Sequence, residues 1–246
     1  ILTLQEGKEL NKQNFLIRFL RRLIIKKADV VTVISHYLAD YAKNINPKAE
    51  RHLIPNGVDL DNFKHMPNSE ENTVITVSRL VPKNGVGDII KAMAIVKKEI
   101  SDAKLIIVGS GPLEKEIKQS IKDSDLENRV IMAGSQNPEN VAGYLSKAKI
   151  FVRPSLSEGL GSAFLEAMAV GLPVIGTAVG GIPDFLKDGQ TGLFCNVGDP
   201  QDLAEKIKIL LTDRELRTKL IVNGRKLVEE KYDWNIIAWK FREIYT

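Results

Sequence analysis

The chain has 246 residues, of which 43% are hydrophobic and 27% are charged, enough to bury a substantial core in one large or two smaller globular domains. Its 35 Lys and Arg against 31 Asp and Glu give a net charge of +4, and this mild excess is spread along the chain without the aromatic interleaving of a nucleic-acid reader. The composition therefore argues against disordered, fibrous and nucleic-acid-binding classes.

The cysteine content and the apolar segments indicate a cellular setting. A single cysteine, Cys195, excludes an internal disulfide, and the sequence has no long uncharged apolar span of the kind that a membrane helix requires. We therefore expect a reducing, cytoplasmic environment. The chain opens at Ile1 with "ILTLQE", which is typical of a strand already under way, so we expect a piece of a longer protein.

The first 55 residues carry a basic amphipathic helix. Apolar residues recur at helical spacing over 12–27, with arginines and lysines largely between them. The stretch 14–27 has two interpretations: contact with an anionic membrane surface, or packing of its apolar stripe inside a missing half of the protein, which we favour. Apolar surface that lacks its sheet neighbours also favours dimerisation of the chain.

The remaining elements alternate between strand and helix. A strand at 29–35, a helix at 36–44 and an extended piece at 51–59 precede a polar segment, 64–72, whose Pro67 and Asn68 suggest a domain boundary. The pattern then predicts, in order, strand 73–78, helix 86–99, strand 103–109, helix 112–122, strand 129–134, helix 138–147, strand 149–154, helix 161–170 and strand 173–177.

These strands are nearly continuous apolar runs, which is typical of a parallel sheet covered on both faces. We therefore predict an α/β fold with a doubly wound parallel sheet, Rossmann-like, followed by three C-terminal helices over 200–245. Asp199 or Pro200 opens the first of these helices, and Asp233 caps the last. Ligands of such sheets bind beyond the carboxyl ends of the strands, where every segment here is rich in Gly, Ser or Pro.

One of these segments carries two glutamates, Glu158 and Glu166, on either side of a glycine-rich turn where a helix begins near Gly161. The unpaired N–H groups and the dipole of a helix N-terminus favour an anion such as a diphosphate. At about 1.5 Å per residue, Glu166 lies about 7 Å along the helix, roughly the distance from a diphosphate to the ribose of its nucleotide. Because a carboxylate repels phosphate, the pattern favours hydroxyl-binding roles, Glu158 for a sugar and Glu166 for the ribose. The alternative is purely structural, with Glu158 favouring the helix N-terminus and Glu166 an ordinary exposed residue.

The same residues resemble the signature of the retaining GT-B glycosyltransferases of the large family called glycosyl transferases group 1. Residues 154–194, "PSLSEGLGSAFLEAMAVGLPVIGTAVGGIPDFLKDGQTGLF", match its pattern of two glutamates separated by seven residues at Glu158 and Glu166. Further landmarks follow the family order: "ADVVTVIS", "IPNGVDLDNF", "SRLVPKNG" and "VGSGP". The resemblance covers the chain from about residue 28.

The resemblance implies transfer of a sugar from a nucleotide diphosphate donor to the hydroxyl of a glycan, lipid or small-molecule acceptor, with retention of anomeric configuration and without a metal or other cofactor. It implies catalytic roles for Glu158 and Arg79, with Arg79 neutralising the diphosphate and the base near the backbone of Arg129 and Val130. The implied donor-binding residues are Arg79, Lys83, Asn84, Gly111, Arg129, Val130, Glu158, Gly159, Leu160, Gly161, Ser162, Ala163 and Glu166.

This sequence departs from the family pattern at one phosphate contact. Asn84 stands where a lysine is common, and Lys83 precedes it by one residue. A shift by one position can turn a side chain away, so we expect a weakened second phosphate contact unless the long, flexible Lys83 reaches the donor.

The implied organisation is an acceptor-domain remnant over 1–55, a donor-binding domain over 56–230 and a crossing helix over 231–246. Since the family's active site lies between two domains, we expect this chain to bind donor but to transfer sugar poorly. Two alternatives stay open. One is a nucleotide-sugar epimerase, which needs no acceptor, and the other is a non-catalytic nucleotide-sugar-binding module, which only Asn84 favours.

Overall fold

The structure is a computed structural model that describes residues 1–5, 14–65, 69 and 71–245. Two parallel sheets organise it, one of three strands and one of six. The predicted boundary at Pro67 and Asn68 and the predicted start of the first helix at residue 12 lie outside the described residues.

The small sheet holds β1 (Leu2–Leu4), β2 (Val30–Val33) and β3 (Glu50–Leu53) in the order β1-β2-β3. Helix α1 (Phe15–Lys26) precedes β2, and α2 (His36–Ile45) connects β2 to β3. Ser35 caps α2, since its hydroxyl accepts a hydrogen bond from the N–H of Leu38 at 3.4 Å. The predicted strand and helix in this region are therefore confirmed, with slightly different bounds.

Helix α1 presents most of its apolar side chains to solvent. Ile25 is its buried residue, whereas the exposed side chains are Phe15, Leu16, Ile17, Phe19, Leu20, Leu23 and Ile24. Membrane contact, packing against further protein and dimerisation through this face all stay predictions. Within the described ranges, no helix is long and apolar enough to cross a membrane.

The large sheet confirms the predicted doubly wound α/β architecture. Its strands run parallel in the order β6-β5-β4-β7-β8-β9, and helices separate successive strands. The strands are β4 (Thr73–Val77), β5 (Lys104–Val108), β6 (Val130–Gly134), β7 (Ile150–Arg153), β8 (Val174–Thr177) and β9 (Leu193–Cys195). The helices are α3 (Val86–Val96), α4 (Glu114–Asp123), α5 (Pro138–Leu145), α6 (Ser162–Val170) and α7 (Ile182–Phe185), followed by α8 (Pro200–Thr212), α9 (Arg214–Lys231) and α10 (Trp234–Tyr245).

The strand order creates a switch point between β4 and β7. The chain builds outward through β5 and β6, then returns to place β7 on the other side of β4. Diverging crossovers leave a crevice at the carboxyl ends of two such strands, and ligands of open α/β sheets bind there. The turn after β4 and the end of β7 therefore meet at one place, although Asn84 and Arg153 are 69 positions apart in the sequence.

Core packing fixes α6 against the middle of this sheet. Phe164 of α6 lies edge-on to Phe151 of β7, with ring centroids 5.1 Å apart, and its ring is 5.5 Å from that of Phe185 in α7. All three side chains are fully buried. The start of α6 is therefore held directly over the carboxyl end of β7.

The segment 56–58 and the residues between α9 and α10 lie side by side. The N–H of Val58 donates to the carbonyl of Tyr232 at 2.7 Å, and the N–H of Trp234 donates to the carbonyl of Val58 at 3.3 Å. Asp233 caps α10 as predicted, since its carboxylate accepts from the N–H of Asn235 at 2.7 Å. The domain limits at 55 and 230 stay predictions.

Candidate functional site

The turn between β7 and α6 leaves the N-terminus of α6 without a side-chain cap from the described residues. Gly161 precedes α6 with a φ of 97°, a left-handed conformation that favours glycine. The first N–H groups of a helix have no acceptor within the helix, and its dipole adds positive potential there. Ser162 and Ala163, both predicted to bind the donor, form this first turn, which suits an anion.

Glu158 lies in the same turn and forms a buried ion pair. Its Oε2 accepts a hydrogen bond from Nη2 of Arg153 at 2.5 Å, and each of the two side chains is only 11% exposed. Its Oε1 accepts from the N–H of Gly159 at 3.1 Å. A buried carboxylate needs such partners to offset its lost hydration, so both oxygens of Glu158 are fixed in direction.

Asn84 links this ion pair to the turn after β4. Its Oδ1 accepts from Nη2 of Arg153 at 3.1 Å, and its Nδ2 donates to the carbonyl of Arg79 at 2.7 Å. Asn84 is 2% exposed, whereas Arg79 is exposed and Lys83 is partly exposed. The side chain that replaces the expected lysine thus connects two turns of the switch point.

Glycines allow the neighbouring turns to pack backbone against backbone. Gly180, with a φ of 55°, leaves no room for a Cβ beside the carbonyl oxygen of Glu158. Gly85, with a φ of 68°, likewise leaves no room for a Cβ beside the carbonyl oxygen of Pro154, and Gly111 packs against the backbone of Leu80. The turns after β4, β5, β7 and β8 therefore form one continuous wall at the carboxyl edge.

Glu166 lies one turn further along α6 and faces a cavity of about 530 Å³. The cavity is lined by residues 56–59, the start of α5, Ser162, Glu166 and Trp234. Asn56 Nδ2 lies 3.5 Å from the hydroxyl of Ser162 at its rim. Burial raises the pKa of Glu166 above its ordinary value, and the nearby charge of Arg153 acts in the opposite direction.

Two predicted donor residues lie elsewhere. Arg129 and Val130 lie at the start of β6, at the amino edge of the parallel sheet, and the Arg129 guanidinium donates to the carbonyl of Ser101. The carboxyl end of β6 is Gly134, so a strand's length separates these residues from the switch point. The structure therefore does not bring Arg129 and Val130 together with Glu158, and the residues after Gly134 take the corresponding position.

Sequence reasoning missed Arg153 and the glycine pair at 180–181. A charged residue at the end of an apolar strand is ordinarily solvated, so nothing in the local pattern marked Arg153 as buried. The two adjacent glycines in "TAVGGIP" were a usable signal, because glycine is the residue that permits close backbone approach. Among the described residues, no group of three or more His, Cys, Asp or Glu side chains forms a metal site.

Comparison with solved structures identifies the class of fold. The chain superimposes on sucrose-phosphate synthase from Thermosynechococcus elongatus with a TM-score of 0.89 and 28% sequence identity, over 99% of this chain and 66% of that one. Its two parallel sheets, switch point and C-terminal helices are those of a GT-B glycosyltransferase.

Sequence comparison gives the family. Residues 58–227 match the family described as "Glycosyl transferases group 1", and residues 3–62 match "Glycosyltransferase Family 4". The chain belongs to the glycosyl transferases group 1 family.

Two curated relatives show how much of such a protein the chain spans. It is 33% identical over 94% of its length to N-acetyl-alpha-D-glucosaminyl L-malate synthase of Bacillus anthracis. It is 29% identical over 92% of its length to a GDP-mannose-dependent alpha-(1-6)-phosphatidylinositol monomannoside mannosyltransferase of Mycobacterium tuberculosis. The chain covers 62% and 64% of these two relatives, respectively.

The close packing at Gly180 predicts a large cost for adding a single methyl group there. Gly180→Ala and the matched control Gly189→Ala both place alanine at a positive φ, 55° and 64°, which costs about 1 to 2 kcal/mol. Only Gly180 also faces a backbone oxygen, whereas a Cβ at Gly189 meets nothing within 4 Å. We expect Gly180→Ala to lose roughly 2 kcal/mol more unfolding free energy than Gly189→Ala in urea titrations. Equal losses would contradict the proposed close packing.

The raised pKa of Glu166 predicts a pH-dependent stability. Because its pKa is higher in the folded state, the ionised carboxylate destabilises the fold above that pKa, and the penalty vanishes as the pH falls below the unfolded value of 4.5. Glu166→Gln should therefore raise the melting temperature by on the order of 2 °C at pH 7, with the gain disappearing near pH 4. Thermal melts between pH 4 and pH 8, with exposed Glu116→Gln as control, measure this. A gain that is absent at pH 7 would contradict the effect of burial.

Proposed function

We propose that this chain is the donor-binding part of a retaining hexosyltransferase, which transfers a sugar from a nucleotide diphosphate to an acceptor hydroxyl. The observation that carries the proposal is the uncapped N-terminus of α6 at the switch point, with Glu158 before it and Glu166 one turn inside it. An anion-binding helix end flanked by two hydroxyl acceptors suits a molecule that has a diphosphate between two sugars. A nucleotide sugar has this arrangement.

The diphosphate is the leaving group of the proposed reaction. As the bond between the anomeric carbon and the phosphate oxygen breaks, negative charge grows on the diphosphate. The N–H groups of Ser162 and Ala163 and the exposed guanidinium of Arg79 are suited to stabilise that charge. Such groups are effective because the fold orients them before the reaction starts.

The two glutamates have different environments and take different hydroxyls. Glu158 is held by Arg153 and by the N–H of Gly159, which makes it a rigid acceptor for the hydroxyls of the transferred sugar. Glu166 faces the cavity and accepts from the ribose hydroxyls. The base then extends toward the segment after Gly134, at the carboxyl end of β6, instead of toward Arg129 and Val130.

The relatives support retention and leave the acceptor open. The names of both relatives specify an alpha linkage, which is the outcome of retention from an alpha-linked donor. One name contains L-malate and the other a phosphatidylinositol mannoside, so the family includes small-molecule and lipid acceptors. We place the reaction in the reducing cytoplasm, which suits the single buried thiol of Cys195.

Nucleotide binding tests the donor site directly. We expect saturable binding of one of UDP, GDP or ADP in calorimetric titrations of this chain, and at least a tenfold weaker dissociation constant for Glu166→Ala. The control Glu116→Ala, an exposed glutamate on α4, should bind like the wild type. No binding of any nucleotide at millimolar concentration would overturn the proposal, and unchanged binding by Glu166→Ala would overturn the ribose contact.

A sugar-transfer assay tests the proposal that this chain binds the donor but does not by itself contain the acceptor site. The chain spans 62% and 64% of its two relatives, so we expect it to bind donor but to transfer sugar slowly. Its turnover of acceptor should be at least a hundredfold lower than that of a longer version of the chain that matches a relative's full length. A transfer assay with both chains, with product configuration read by NMR, measures this. Equal turnover would show that these 246 residues already contain the acceptor site, and an inverted product would exclude retention.

A further inference from the structure

Three cations lie at the switch point, two in the turn after β4 and one at the end of β7. Arg79 is exposed, Lys83 is partly exposed, and the side chain of Arg153 is 11% exposed, with its guanidinium between Asn84 and Glu158. The guanidinium is close to the open end of α6, because the carboxylate that it binds also accepts from the N–H of Gly159. Of the three, Arg153 has its position fixed by the fold.

The guanidinium of Arg153 has one donor that is left unsatisfied within the described part of the chain. Both of its described hydrogen bonds use Nη2. Its Nε is buried and has no hydrogen-bond partner among the described residues. An unpaired buried donor costs free energy, and one on a guanidinium costs more than a neutral group does. A phosphate oxygen is the acceptor that best matches a guanidinium in charge and geometry.

Asn84 explains how a buried arginine is tolerated here. Its side-chain oxygen accepts from Arg153 at 3.1 Å, and its amide is anchored on the carbonyl of Arg79. A lysine at position 84 would bring a second positive charge near the guanidinium, in surroundings whose low polarity strengthens repulsion. The neutral amide at 84 and the cation at 153 are therefore complementary.

We propose that Arg153 is the second diphosphate-binding cation of the donor site, oriented by Asn84, and that Lys83 is not. This inference rests on the proposed function and names a residue that the sequence pattern does not. Position 84, where a positive charge is expected, is neutral, and a positive charge lies instead at the end of β7. Arg153 thereby supports Glu158 in the empty site and the diphosphate in the occupied one.

The test separates the diphosphate contribution from the rest of the nucleotide. The probes are the nucleoside diphosphate that the wild type binds and the corresponding nucleoside without phosphates. Arg153→Gln should weaken diphosphate binding by about 10- to 100-fold and nucleoside binding by less than about threefold. The control Lys115→Gln, an exposed lysine on α4 outside the site, should change both by less than about threefold. Equal weakening of both probes by Arg153→Gln would show a merely structural role and overturn the proposal. A loss on Lys83→Gln without one on Arg153→Gln would overturn it as well.

A second pair of variants guards against misfolding. Removing Arg153 alone leaves the buried Glu158 carboxylate unpaired, which strongly destabilises the fold. We therefore compare Glu158→Gln with the double variant Arg153→Gln/Glu158→Gln, in which no buried charge is left alone. The double variant should bind the diphosphate at least tenfold more weakly than Glu158→Gln, and equal affinities would refute the role of Arg153. If the wild type itself binds no nucleotide, the proposed function falls, whereas wild-type binding with full retention in the double variant removes this inference alone.

Discussion

The buried ion pair between Arg153 and Glu158 is the interaction on which the arrangement of the site depends. Two charges that are each 89% removed from solvent are stable only when close partners satisfy them, and here those partners come from three segments. Asn84 supplies one from the turn after β4, and the N–H of Gly159 supplies another from the turn before α6. Fixing the pair therefore fixes both turns of the switch point relative to each other.

Backbone packing makes this arrangement rigid. Glycines at 85 and 180 bring the turns after β4 and β8 against the carbonyl oxygens of Pro154 and Glu158, at distances that no side chain allows. Phe164 packs edge-on against Phe151 and so holds α6 against β7. The N-terminus of α6, which suits an anion, therefore has surroundings that are arranged before any ligand binds. The partly buried Glu166 lowers the stability of the fold in return.

The sequence predicted the sheet well because each strand is an apolar run followed by an amphipathic helix, a local signal. The short elements β9 and α7 were not predicted, because three or four residues outside the regular alternation carry too little periodicity. Glu158, Glu166 and the open end of α6 were predictable, since glycines and carboxylates at that spacing follow a strand directly.

The contacts of Arg153 were not predictable, because they depend on β7 lying beside β4, a strand order that one sequence does not give. The prediction that Arg129 and Val130 lie near the nucleotide base could have been avoided. Both lie at the start of a strand of a parallel sheet, so chain direction alone assigns them to the edge opposite the ligand.

A crystal structure of the chain with a bound nucleoside diphosphate tests the account most directly. The account predicts the diphosphate at the first turn of α6, within hydrogen-bond distance of the N–H groups of Ser162 or Ala163, with the ribose hydroxyls on Glu166. A nucleotide bound at the amino edge near Arg129, or with its phosphates away from α6, would contradict it.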